Sequence, residues 1–223
     1  MQMLDLINPY PIHERLIQAP WDSEEVVEAA RRKLRTIRRP DELARLMAQS
    51  HGDNAMPNAL HDSLEANLAY KAAKDATPFL KDSPAIARYR KMYGRHDVDA
   101  VISEIFDAEV YLPAGQVLFH GGPWPESNGV PPVDARYTTQ QPLSATLCPQ
   151  VAAVHSYYEP RGFLWNISLT NPTPCFVFDN KNRVLGHEYE VLLPPLEIVC
   201  TSVEIHGLNT PLIHVSAFRR GVR

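Results

Sequence analysis

The sequence predicts an α+β protein, with a helical region over residues 1–108 and a sheet domain over residues 109–223. Three observations carry this. Between residues 21 and 107 apolar side chains recur at helical spacing. From Leu112 the texture changes to short apolar runs divided by Gly and Pro, and the twenty prolines of the chain crowd this half. Near the end, Glu188-Tyr189-Glu190 heads an apolar run that closes on Pro194-Pro195.

The elements follow in order. Asp22 or Ser23 can cap the free amides of a first helix, with Val26, Ala30, Leu34 and Ile37 on one stripe. Pro40 stops it and opens a second, in which Leu43, Leu46 and Met47 recur. His61 to Lys74 reads as a third helix, and Ser83-Pro84 starts a fourth that runs to about Met92. The best-patterned helix begins at Asp97, with Val98, Val101, Ile102, Ile105 and Phe106 on one face. Pro113-Ala114-Gly115 is a turn, Gln116 to His120 a short strand, and Gly121 to Pro132 a loop. Pro149 to Tyr158 reads as a helix. Strands are expected at Phe163–Leu169, Phe176–Phe178, Glu188–Leu193, Glu197–Ile205 and Leu212–Ala217.

Bulk composition excludes several classes. At 44% hydrophobic residues the 223-residue chain can bury a substantial core, and its net charge of −4 gives no global attraction for nucleic acid. Cys148, Cys175 and Cys200 form no Cys-x-x-Cys pair and leave an odd thiol, which points to a reducing compartment. The first residues contain Asp5, Pro9, Pro11, Glu14 and Arg15 and do not read as a signal peptide, and no later run is long enough to span a membrane. The histidines show no metal-binding spacing, so no metal is expected. The basic cluster from Arg31 to Arg39 reads as a solvated face paired with Glu24, Glu25 and Glu28; contact with RNA or an acidic partner is the alternative.

Three blocks carry chemistry. In a strand, side chains alternate, so Glu188 and Glu190 are expected on one face, where two acids repel and desolvate each other. Such pairs persist mainly where chemistry uses them, although the pair alone fits a solvated strand edge equally well. Upstream stand Leu112-Pro113-Ala114-Gly115-Gln116-Val117-Leu118-Phe119-His120-Gly121-Gly122 and Pro142-Leu143-Ser144-Ala145-Thr146-Leu147-Cys148-Pro149. In this order the blocks resemble the bacterial-toxin-like mono-ADP-ribosyltransferases, which split NAD and pass ADP-ribose to a protein. The resemblance covers about the last half of the chain.

The resemblance implies a split β-sheet domain that holds NAD in its cleft, with NAD as substrate. It matches Glu190 to the catalytic acid and Glu188 to the residue that orients the acceptor. A carboxylate beside the ribose stabilises the oxocarbenium-like transition state of glycosidic cleavage. Glu at position 188 implies an arginine acceptor, whose guanidinium needs a carboxylate to position it and take its proton. Ser144 and Thr146 match the small hydroxyls of a Ser-Thr-Ser strand, where they approach NAD; read alone, Thr146 is equally a cap for the following helix. His120 stands where the arginine-modifying branch has Arg. A neutral imidazole can bond a ribose hydroxyl or an amide but gives no bidentate fork to phosphate. Gly121 and Gly122 would let backbone approach the ligand. Residues 179–186 occupy the place of the family's acceptor-recognition loop, and Tyr157, Tyr158 and Phe163 are candidates for stacking on nicotinamide or for core packing. The implied role is an effector acting on a protein in a target cytosol, of bacterial or phage origin, made there or delivered by a specialised secretion system. Two alternatives stand beside it: an NAD glycohydrolase, and a non-catalytic module of the same fold that binds a host protein.

Overall fold

A computed structural model describes residues 1–15, 23–31, 33–50, 55–92, 96–125, 129–178, 188–205 and 207–219. Two short strands, β1 (Gln2–Met3) and β2 (Ile12–His13), open the chain. Helix α1 (Glu24–Arg31) is shorter than its sequence stripe. Thr36–Ile37 instead forms β3, paired antiparallel with β2 so that Ile12 faces Ile37. β-branched residues favour extended backbone, and both isoleucines are buried there. The basic residues find local acids: Arg31 meets Glu28, Arg35 forks onto Glu14, and Arg39 meets Asp41 and Glu42.

Helix α2 (Pro40–Gln49) starts on proline, whose missing N–H costs nothing at a first turn, and buries Leu43, Ala44, Met47 and Ala48. The expected third helix is two: α3 (Ala55–Ala66) and α4 (Leu68–Ala76). Asn67 divides them because its side chain accepts from the Tyr70 amide at 2.9 Å, capping α4. Helices α5 (Pro84–Lys91) and α6 (Val98–Asp107) lie where expected, the latter capped by Asp97. Glu104 of α6 takes the first free amides of α5, those of Ala85 and Ile86, at 2.9 and 2.8 Å. The helix pair is thereby fixed end to end.

The second half supplies β4 (Val110–Leu112), β5 (Val117–Gly122), β6 (Arg136–Thr138), β7 (Leu143–Thr146), α7 (Pro149–Tyr158) and β8 (Phe163–Leu169). It continues with β9 (Thr173–Pro174), β10 (Phe176–Val177), β11 (Glu190–Leu193), β12 (Leu196–Glu204) and β13 (Leu212–Arg219). Strands β1, β4 and β9 form a small sheet. The main sheet runs β10-β11-β7-β5-β8-β13-β12-β6 and is antiparallel throughout except between β13 and β8. The α+β class is as predicted.

One core crosses residue 108: Leu43, Met47 and Leu60 of the helices bury with Leu118, Trp165 and Ile213 of the sheet. A second cluster joins Ile86, Tyr89, Val101 and Ile105 to Phe176, Phe178 and Leu192. It seats α5 and α6 on one face of β10 and β11. That face is where the acids emerge.

Candidate active site

The main sheet opens between β5 and β7. Their ladder registers a single residue pair, Phe119 opposite Thr146, whereas β7 pairs with β11 along four residues, from Thr146 opposite Glu190 to Leu143 opposite Leu193. Beyond Phe119 the strands part. His120 spans the opening: its Nδ1 bonds the Ser144 carbonyl at 2.7 Å, and its ring packs edge-on against Trp165 at 5.1 Å. Because a carbonyl only accepts, Nδ1 carries the proton and Nε2 is left as an acceptor in the neutral ring. Among the described residues Nε2 makes no hydrogen bond. Burial holds the imidazole below its usual pKa, against the pull of the Ser144 carbonyl and with a further push from His155.

On the other lip, the Ser144 hydroxyl donates to Glu190 Oε1 at 2.8 Å. His120, Ser144 and Glu190 therefore form one chain across the split. Thr146 faces differently. Its hydroxyl donates to the Glu188 carbonyl and accepts from the Cys148 amide, so it pins the backbone of the Glu188 segment and the start of α7.

The two glutamates do converge, but not by strand alternation. The strand begins at Glu190, and Tyr189 before it is left-handed at φ 47°. That conformation is costly for a side chain with a Cβ. It is held because the Tyr189 ring is buried against His61 at 4.8 Å and Tyr70 at 5.7 Å, while its carbonyl accepts from Leu147. The expected strand Glu188–Leu193 is therefore shortened, and Glu188 leaves it at a kink.

What joins the acids is an arginine that sequence reasoning missed. Arg90, at the end of α5, places Nη2 3.1 Å from Glu188 Oε2 and Nη1 3.4 Å from Glu190 Oε2. Its guanidinium also lies over the Phe178 ring at 4.5 Å. Side-chain exposures are 18% for Arg90, 13% for Glu190 and 33% for Glu188, so the cluster is largely withdrawn from water. Burial raises the Glu190 carboxyl above the usual carboxylate range; Arg90 and then Ser144 pull it back, and Glu188 pushes it up. A signal for Arg90 existed: it stands four residues after Ile86 and next to Tyr89, both buried, at the edge of the packed stripe of α5.

No protein-family model and no curated protein sequence matches the chain. Solved structures do. The Clostridium limosum C3 exoenzyme superposes with a TM-score of 0.50 at 12% identity, over 71% of this chain and 95% of that one. The fold is that of the C3 exoenzyme. The ADP-ribosyltransferase Vis from Vibrio splendidus, in complex with the M6 inhibitor, gives 0.46 at 16% identity over 83% of this chain and 88% of its own. C3stau2 from S. aureus with NAD gives 0.43 at 18% over 75% and 97%. The likeness to the C3 exoenzyme fixes the fold alone, and the chemistry has to be argued from the site.

The remaining expected residues sort by what they touch. A Cβ on Gly121 would lie 2.0 Å from the Ala152 carbonyl, so this glycine admits the close approach of α7 to β5. A Cβ on Gly122 would meet His120 Nε2 at 2.9 Å, so Gly122 makes room for the imidazole. Phe163 is core, while Tyr157 and Tyr158 are exposed on α7 and stack edge-on with each other. Residues 179–186, matched to the acceptor-recognition loop, lie outside the described residues. Cys148 is buried beside His61, and burial pushes its thiol up to about 11, which makes it a poor nucleophile. No helix among the described residues is long and apolar enough to cross a membrane.

Proposed function

We propose that this chain is an NAD-dependent mono-ADP-ribosyltransferase that passes ADP-ribose to arginine on a protein. The carrying observation is the half-buried Glu190 carboxylate, hydrogen-bonded by Ser144 at the split of a fold like that of the C3 exoenzyme. In this reading NAD lies along the opening between β5 and β7. His120 Nε2 accepts from a ribose hydroxyl or the nicotinamide amide. Ser144 fixes the rotamer of Glu190. As the bond between ribose and nicotinamide lengthens, positive charge grows on the ribose, and Glu190 stabilises it across a short, poorly solvated gap. Removing such a partner typically costs about 10²–10³ in rate. Glu188, more exposed at 33%, takes the outer position, where an incoming guanidinium can bond it. The role of effector in a target cytosol goes with this reading.

Arg90 lies within reach of both acids, one Nη on each. One observation favours a second reading, NAD glycohydrolase: Arg90 already bonds Glu188, and with the acceptor position held, water is the smaller nucleophile able to enter. Incubation with labelled NAD separates them. Label on protein supports the transferase, free ADP-ribose supports the hydrolase, and intact NAD refutes both in favour of a non-catalytic module.

A further inference from the structure

Arg90 is placed as a bound ligand would be. Its guanidinium lies on an aromatic face, Phe178, at 4.5 Å, and is gripped at its two Nη atoms by separate carboxylates. One of those carboxylates is the group assigned above to hold an acceptor arginine. The other is the group assigned to hold the ribose. Helix α5 keeps the side chain there, because Ile86 and Tyr89 are buried in the second core cluster and Glu104 fastens the first turn. Its neighbour Arg88 is exposed and makes no such contact.

We propose that Arg90 is itself an acceptor, so that the chain ADP-ribosylates its own Arg90 and thereby closes its acceptor site. The inference rests on the transferase reading. Nη1 stands 3.4 Å from Glu190, and a ribose held by that carboxylate would lie within contact distance of the guanidinium. Nucleophile and electrophile held near 3–3.5 Å react as an intramolecular pair, without the entropic cost of an encounter. The bond from ribose C1′ to the nicotinamide nitrogen breaks, and nicotinamide leaves with the electron pair. An Arg90 Nη bonds C1′, and its proton passes to Glu188 and on to water. NAD and arginine thus give ADP-ribosylarginine, nicotinamide and one proton, with no oxidation. An ADP-ribosyl group on Arg90 then fills the space beside Glu188, and no second guanidinium can enter.

The test uses the full chain, labelled NAD and agmatine as a small guanidine acceptor in the same tube. Digestion after glutamate, followed by mass mapping, reads the peptide that carries Arg90. The expected result is one ADP-ribosyl group on Arg90, with the fraction modified per unit time unchanged by roughly tenfold dilution of protein, as an intramolecular step requires. Agmatine labelling then falls in step with Arg90 occupancy after preincubation with NAD. In Arg90→Lys, agmatine labelling, taken relative to the variant's own rate without preincubation, does not fall, and no self-label forms. Labelled agmatine with unmodified Arg90 overturns the inference and leaves the transferase reading intact. A fraction self-labelled per unit time that drops with dilution overturns it too, because modification then comes from a second molecule. Absence of label on both overturns the inference together with the reading it rests on.

Discussion

Ser144→Ala isolates one contact in the chain across the split. The substitution removes the hydroxyl that donates to Glu190 Oε1 at 2.8 Å, and keeps the backbone carbonyl that receives His120. The acceptor is a charged, poorly solvated carboxylate, and hydrogen bonds of that kind contribute about 1.5–3 kcal/mol. Losing it raises the Glu190 pKa further, because the ionised form loses a donor. Burial already holds that pKa above the ordinary range, and Arg90 remains to oppose a further rise. The sign is fixed by the chemistry: Glu190 must be ionised to stabilise the cationic transition state, so turnover falls as pH drops through its pKa. Ser144→Ala therefore moves the acid limb of the pH–rate profile to higher pH. The assay is nicotinamide release measured from pH 4 to 9, with circular dichroism at each end of the range. An acid limb that stays in place, with unchanged turnover, refutes the role given to the Ser144–Glu190 bond.

Three other outcomes are expected. Glu188→Ala abolishes labelling of protein while slow release of free ADP-ribose persists; equal loss of both moves Glu188 into the cleavage step. Gly121→Ala forces a methyl group to within 2.0 Å of the Ala152 carbonyl and lowers Tm by roughly 5–10 °C, from overpacking of about 2–3 kcal/mol; an unchanged Tm means that α7 is free to move off β5. Glu204, bound by Arg45 at 2.7 and 2.9 Å and by His214 at 2.9 Å, is held down to about 2 from an ordinary 4.5. Its stabilisation is full above pH 4.5 and fades as pH falls toward 2. Because the pair is partly solvated, about 1–2 kcal/mol is expected after screening. Urea unfolding of wild type and Glu204→Gln at pH 6 and pH 3 reads it as a stability gap that narrows at the lower pH; a constant gap contradicts it.

Most of the helices and strands were legible because each is set by local chemistry. Pro40, Ser83-Pro84 and Pro149 mark helix starts, and Asp97 caps α6 as its position implied. The errors lie where tertiary contacts override a local pattern. Ile37 continues a helical stripe in sequence, yet it leaves the helix to pair with Ile12, which sits 25 residues earlier. Asn67 interrupts a plausible helix because its side chain prefers to cap the Tyr70 amide. The acid pair was found for a reason that only half held. Glu190 is a strand residue, but Glu188 reaches the same cleft through the left-handed Tyr189, whose conformation depends on burial against His61 and Tyr70. Arg90 was missed for a related cause, its position on the packed edge of α5 saying nothing of the acids. It belongs to the helical half, 98 residues from Glu188, and only the packing of α5 against Phe176, Phe178 and Leu192 brings it to the acids. The two glycines after His120 were expected to admit a ligand; what the structure shows beside them is α7 and the imidazole.

The central claim is that Glu190 drives cleavage of the bond between ribose and nicotinamide. Glu190→Gln keeps the shape of the side chain and its hydrogen bond from Ser144 but removes the charge. The most direct measurement is nicotinamide release from NAD by wild type and Glu190→Gln, with Tm recorded for both. The account predicts release by wild type and a fall of about 10²–10³ in the variant, with Tm held within a few degrees. Near-native release by a folded Glu190→Gln protein would contradict it.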